Sequence, residues 1–256
     1  MKDIAILIIP DVHGRDFWRD AVMNNLDKEI IFLGDYLDPY PHENITKERA
    51  IEVFEEILAL ARDNKNITLL LGNHDCSYAL SPQICECRHD WNNHNKIAKL
   101  FEDNFDLFDL AKEKIINGKR FFFSHAGLHR IWYKADRYVF GERFKPTAKA
   151  FNSLLHSDDD RTRGSLISAL SEYSCYRGGY ESYGSMVWAD IREFVLPRAT
   201  KNSEKKIQIV GHTSLKQAIR VNNNMYCLDC LKPFYIDDKG VVRYYDTDEE
   251  VTLSPN

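Results

Sequence analysis

No apolar run in this sequence approaches the roughly 20 residues that a membrane-spanning helix needs. The first apolar stretch, residues 4–9, is cut by Pro10-Asp11 and has no small-residue cleavage site behind it, so no secretory signal is expected. Basic residues are in the minority: 34 Lys and Arg face 39 Asp and Glu, a formal net charge of −5. That balance argues against general nucleic-acid binding, which needs clustered cations to neutralise phosphates. A small phosphate-bearing ligand stays possible, because a local field and a net charge are different things. Cysteine is too sparse in 256 residues for a disulfide-stapled miniprotein. The six cysteines (76, 85, 87, 175, 227 and 230) are therefore read as reduced thiols, and the location as cytoplasmic. Internal repeats and long low-complexity tracts are also missing, which excludes a solenoid.

What is present is ordinary globular material. The apolar fraction is 44% and the aromatic fraction 12%, too high for a wholly disordered chain. The length allows one or two domains, and the expectation is a single domain over 1–256 with a cap-like insertion at about 130–205. Residues 4–9, 29–33 and 66–71 are short apolar runs of the kind that form strands buried on both faces. Between the last two, Ile51, Phe54, Leu58 and Ala61 recur at helical spacing behind Thr46, a plausible N-cap. Strand, helix, strand in that order predicts a parallel sheet covered by helices. A second helix is expected over about 92–102, with Trp91, Ile97, Ala98 and Phe101 on one pattern. Residues 114–116 and 120–124 flank Asn117-Gly118, a strong hairpin signal. Five further strands are expected at 207–210, 218–221, 225–228, 233–236 and 241–245. The middle, 130–205, is rich in Tyr, Arg, Ser and Gly and reads as an insertion over one sheet edge. Its aromatic stretch 173–188 reads as packing of that insertion.

Five short polar motifs each follow an apolar run. They are Asp11-Val12-His13-Gly14, Gly34-Asp35-Tyr36-Leu37-Asp38, Gly72-Asn73-His74-Asp75, Ser124-His125-Ala126-Gly127 and Gly211-His212-Thr213. Residues just past the carboxyl ends of parallel strands converge on a crevice. Asp, His and Asn brought there suit Mn, Fe, Zn or Mg. Asp11, His13, Asp35, Asn73, His125 and His212 make six candidate ligands, more than one catalytic zinc uses and enough for two ions bridged by a carboxylate such as Asp35.

The set of motifs resembles the calcineurin-like metallophosphoesterases, most closely the serine/threonine phosphatases of the PPP type and their bacterial and phage relatives. The resemblance runs from residue 11 to residue 213. It implies an α/β fold, a sandwich of two mixed β-sheets flanked by α-helices in α-β-β-α layers. It implies two divalent ions (Mn, Fe, Zn or Ni, with Mn the usual choice in vitro), one on Asp11, His13 and Asp35, the other on Asp35, Asn73, His125 and His212. It further implies hydrolysis of phosphate monoesters by a metal-bridging hydroxide, with His74 and Asp38 as the acid dyad and a phosphoprotein or small phosphoester as substrate. Related branches act as phosphodiesterases or dinucleoside polyphosphate hydrolases. Others keep the fold as a catalytically silent scaffold after losing ligands, but no ligand position is lost here.

Two positions depart from the pattern. The second motif continues Asp38-Pro39-Tyr40 where the protein phosphatases carry an arginine that clamps phosphate, and the third ends in Asp75 where they usually carry Glu. A planar guanidinium binds phosphate bidentately, so a replacement arginine is expected. Arg177, beside Gly178-Gly179, is the first candidate, followed by Arg15 and Arg192. Trp188-Ala189-Asp190 resembles a Trp-Ser-Asp stretch of the same family that lines the substrate groove. Cys85-x-Cys87 and Cys227-x-x-Cys230 are a poor match to a zinc site, the first gap being one residue short. His89 and His94, five apart, share no helical face and are expected at the surface.

Overall fold

The structure is a computed structural model that describes residues 2–85, 88–135, 137–195 and 206–253. Cys87, one member of the weak thiolate pairing, lies outside the described residues. Cys76, Cys85, Cys175, Cys227 and Cys230 are free thiols. The strands form two mixed sheets with flanking helices, and the chain divides into two compact units.

The first unit comprises residues 1–108 and 231–250. It holds β1 (Ile4–Ile9), β2 (Glu29–Phe32), β3 (Ile67–Leu70), β10 (Phe234–Asp237) and β11 (Val242–Tyr244). Their order is β11-β10-β1-β2-β3, with the two-residue β4 (Phe108–Asp109) at the far edge. β1, β2 and β3 run parallel, as the strand–helix–strand reading requires. β10 and β11 are antiparallel additions that make the sheet mixed. The five-residue α1 (Arg19–Met23) precedes β2. α2 (Lys47–Asp63) starts where Thr46 caps it, the threonine side chain accepting from the Arg49 N–H at 3.1 Å. Its apolar face is buried through Ile51, Phe54, Leu58 and Ala61. Phe54 then packs against Tyr36, Phe101 and Phe108, with ring centroids 5.3, 4.7 and 6.2 Å away. The short α3 (Asn73–Ala79) follows β3, and α4 (His94–Asp103) buries Ile97 and Phe101.

Two sequence expectations need correcting here. Trp91 lies ahead of α4 and is 61% exposed, so it belongs to no helical stripe. His89 is not a surface residue. It is buried, stacks on Tyr78 with centroids 4.1 Å apart, and has ring nitrogens 2.9 Å from the Ser77 hydroxyl and 3.0 Å from His94 Nδ1. The spacing argument required both histidines on one helix, whereas His89 sits in the loop before it.

The second unit comprises residues 109–230 and 251–256. Its sheet has the order β5-β6-β7-β9-β8, from β5 (Ala111–Ile116), β6 (Lys119–Ser124), β7 (Lys206–Val210), β8 (Ile219–Asn222) and β9 (Met225–Cys227). β5 and β6 are a tight hairpin. Asn117 and Gly118 both have positive φ (48° and 73°), the geometry of a type I′ turn that matches strand twist. β6, β7 and β9 are parallel and β8 is antiparallel, so this sheet is mixed too. The middle of the chain supplies α5 (Arg130–Ala135), α6 (Arg137–Phe140), α7 (Ala148–Leu155) and α8 (Asp160–Leu170), with α7 against the edge strand β5. Asn152 of α7 ties that edge, its carboxamide oxygen accepting from the N–H groups of Leu110 and Ala111. The aromatic stretch beyond α8 is less packed than expected. Tyr173 and Tyr176 are close to half exposed and Tyr180 fully so, because this segment is mostly turns with no helix face to bury.

Candidate metal centre and acid dyad

The loops after β1, β2 and β3 are bonded to one another. The N–H groups of Val12 and His13 donate to the Asp35 carbonyl, and Gly14 N–H donates to that of Tyr36. Asp11, His13 and Asp35 are thereby gathered, with one potential ligand atom from each inside a 4.8 Å group, all buried. Close backbone approach makes this possible. A Cβ on Gly72 would stand 2.1 Å from Asp35 Oδ1, and one on Gly34 (φ 109°) would stand 2.5 Å from the Gly72 nitrogen.

Asp75 braces the same turn. Its carboxylate accepts from the backbone N–H of Asp35 (2.6 Å), Gly72 (2.8 Å) and Tyr36 (3.0 Å), and it is fully buried. The departure from Glu at this position thus falls on a structural bracket. The aspartate holds Asp35 in place from α3.

Hydrogen bonding fixes the state of His13. Its Nδ1 lies 2.7 Å from the Leu37 carbonyl, which can only accept, so Nδ1 carries the proton. Burial, outweighing the attraction of Asp35, pushes its pKa down to about 3, so the ring is neutral. Nε2 then presents a lone pair to Asp35 Oδ2, 3.7 Å away. Two electron-rich atoms facing each other at that distance fit a cation between them. Asp35 Oδ1 is occupied separately by the His74 N–H at 3.0 Å. Asn73, also buried, turns its amide nitrogen toward Cys85 Sγ at 3.4 Å.

His74 and Asp38 are in direct contact, Nδ1 to Oδ2 at 2.7 Å, both buried. Asp38 Oδ1 accepts from the Tyr78 hydroxyl at 2.6 Å. Burial and the Asp38 charge push the Tyr78 phenol well up, so it stays a donor. On the other side of His74, Arg88 Nη2 lies 3.2 Å from Nε2. A guanidinium only donates, so Nε2 accepts and the imidazole proton sits on Nδ1, toward Asp38. The sequence offered no reason to single out Arg88 or Tyr78. Neither is part of a motif, and their places come from α3, which holds Tyr78, and from Arg88, ahead of α4.

In the second unit, His125 follows β6 and His212 follows β7. The Gly211 N–H donates to the His125 carbonyl at 2.8 Å, and the two rings meet with His125 Nε2 3.1 Å from His212 Nδ1. The thiol of Cys227 donates to the carbonyls of Gly211 and Thr213, so it supports this turn from behind. Trp188 stands edge-on to His212, with centroids 5.5 Å apart.

Of the predicted arginines, Arg177 lies beside this loop. Its Nη2 donates to Thr213 Oγ1 at 2.8 Å, and its Nε is 3.0 Å from Asp190 Oδ2. Arg192 is exposed, pairs with the same Asp190 and stacks on Tyr176. Arg15, in the first unit, is held bidentately by Glu43 at 2.9–3.0 Å. All three therefore have a carboxylate partner.

Several of these residues occupy the left-handed backbone region without being glycine: His13 (φ 46°), Asp35 (53°), Asp38 (58°), Arg88 (57°) and His212 (63°). Asp and His tolerate it better than most residues, but each still costs about 1 kcal/mol. Such strain gathers where side chains must be aimed for function.

The family model described as calcineurin-like phosphoesterase matches residues 4–216. A solved structure, the crystal structure of a hypothetical protein from Pyrococcus horikoshii OT3, aligns over 97% of this chain and 88% of that chain, with 12% identity and a TM-score of 0.45. A search of curated proteins gives no significant match.

Proposed function

Because the chain belongs to the calcineurin-like phosphoesterase family, whose members hydrolyse phosphoester bonds, we propose that it is a metal-dependent phosphatase acting on phosphate monoesters. The observation that carries this reading is the pair His13 Nε2 and Asp35 Oδ2, facing each other at 3.7 Å with the imidazole proton fixed on the opposite nitrogen. Asp11, His13 and Asp35 would hold one divalent ion, and the family resemblance assigns the other to Asp35, Asn73, His125 and His212. Such ions, when bound, lower the pKa of coordinated water toward about 7 and so supply a nucleophile at neutral pH. Mn is the first metal to test, since oxygen and imidazole donors accept it readily.

The chain's own residues would handle the leaving group. An alkoxide leaving phosphorus needs a proton, and His74, after taking one from solvent at Nε2, would pass it on from that nitrogen. Asp38 keeps the ring oriented and raises its basicity by accepting from Nδ1. Tyr78 fixes Asp38 in turn. A dianionic monoester is favoured over a diester because it gains more from a cationic site. Arg177, next to Thr213, is a further candidate for contact with substrate.

The test compares p-nitrophenyl phosphate with its bis-ester on manganese-loaded protein. Faster turnover of the monoester by at least tenfold is expected. A preference for the diester would move the assignment to the phosphodiesterase branches. No turnover of either by fully loaded protein would leave a binding scaffold.

A further inference from the structure

The second motif lacks the arginine that the resemblance leads one to expect after Asp38, since Pro39 stands there. The structure nonetheless puts a guanidinium at that place in the loop. Arg88 Nε donates to the carbonyl oxygen of Asp38 at 3.1 Å, the atom group joined directly to Pro39. Its guanidinium carbon lies 3.9 Å from the centroid of the Tyr40 ring, and Nη2 reaches His74 Nε2 at 3.2 Å. The same Tyr40 ring lies nearly perpendicular to the imidazole of His13, centroids 5.2 Å apart. Arg88 thus touches one member of the acid dyad and shares a neighbour with a candidate metal ligand.

Charge separates Arg88 from the other arginines considered. Arg15 is neutralised by Glu43, and Arg177 and Arg192 by Asp190. Among the described residues no carboxylate lies within ion-pair distance of Arg88. Its acceptors are a carbonyl and a neutral imidazole nitrogen, both uncharged. A guanidinium gains charge–charge attraction from an anionic acceptor that a neutral imidazole cannot give, so a phosphoryl oxygen would displace the imidazole as the partner of Nη2. The stack on Tyr40 and the bond to the Asp38 carbonyl would hold the guanidinium plane while that exchange occurs.

We infer that Arg88 is the phosphate-clamping arginine of this protein, delivered from the loop before α4 in place of the one missing at position 39. The inference rests on the phosphatase reading above. It also gives Arg88 a resting place. Without substrate the guanidinium covers Nε2 of His74, and on transfer to phosphate it frees that nitrogen to take a proton from solvent and pass it to the leaving-group oxygen.

Arg88→Ala and Arg88→Lys are compared with wild type, all manganese-loaded and checked for equal metal content and circular dichroism. Two quantities are read: the Kd for inorganic phosphate by titration calorimetry, and KM and kcat for p-nitrophenyl phosphate. Arg88→Ala is expected to weaken phosphate binding at least tenfold and to raise KM in step. Arg88→Lys, which keeps the charge but not the planar fork, should recover only part of the loss. A phosphate Kd within threefold of wild type in Arg88→Ala would overturn the assignment, even if kcat fell, because the residue would then act only through His74. Wild-type protein that neither binds phosphate nor turns over any phosphoester would overturn the phosphatase reading and the clamp together.

Discussion

Asp38 has one side-chain oxygen on His74 and the other on Tyr78, so both its acceptors are committed to orientation. Asp38→Asn is nearly isosteric and keeps a residue tolerant of the left-handed backbone. It places an amide donor against the Nδ1 proton and so favours the wrong tautomer. We expect kcat for p-nitrophenyl phosphate to fall about 10²- to 10⁴-fold with KM changed little. A kcat within threefold of wild type at equal metal content would remove the dyad from the mechanism. At this scale the sequence was uneven. Asp11, His13 and Asp35 could be picked out because each sits a few residues beyond an apolar run. Asp75 stands out in the sequence only as a departure from the usual Glu. Its acceptors' donors are backbone amides, two of them some 40 residues away in sequence, and no local pattern announces such a bracket. Arg88 has no periodicity at all. Its position depends on the fold of a loop, and loops carry no repeat from which to read direction.

The elements were more legible, and for a definite reason. Strands buried on both faces read as unbroken apolar runs, and the edges of β1, β2 and β3 fall within one residue of the expected boundaries. The Asn117-Gly118 turn was equally plain, because only a few residue pairs accept positive φ twice. The histidine at 89 failed because its environment is made by ring stacking across a loop. The turn at Gly72 and the segment after β6 each give a testable expectation. Gly72 joins β3 to α3, and Gly72→Ala would drive a methyl group into the Asp35 carboxylate. The expected result is destabilisation by about 1–3 kcal/mol and loss of most metal affinity, measured by urea unfolding and metal titration. Intact affinity would show that the Asp35 turn can shift without cost. The second concerns His129, just after β6, packed between Tyr183 and Phe194. Burial lowers its pKa from 6.5 to about 4. Between those values the unfolded chain binds more protons than the folded one. Stability should therefore fall as pH drops from 6.5 toward 4, by up to about 1.4 kcal/mol per unit, and level off below. Urea midpoints of metal-free protein, wild type against His129→Phe, would show the difference. Parallel pH profiles for the two proteins would exclude His129 as a source of acid sensitivity.

For the whole molecule, the metal is also a stability term. An ion that binds only the folded chain adds about 2.7 kcal/mol at a hundredfold excess over its Kd, and a domain of this size responds with several degrees in Tm. Calorimetric scans with EDTA and with excess manganese should differ by at least that much, and identical scans would deny these side chains a folded-state metal site. The charge balance takes on a different meaning here. Asp11, Asp35 and Asp75 are counted in the net −5, yet all three are buried, so the acidic surplus overstates what solvent meets. A last consequence follows from the order of the first sheet. β1 is not an edge strand: β2 lies on one side, and on the other lies β10, encoded at 234–237. While the ribosome makes the whole of the second unit, the flank of Ile4–Ile9 that β10 will cover has no partner. At ordinary elongation rates that interval is on the order of 10–45 s. The nascent protein must carry an open, strongly apolar strand edge for that time, and its yield in a cell should depend on synthesis speed and chaperone capacity as much as on the stability of the finished fold.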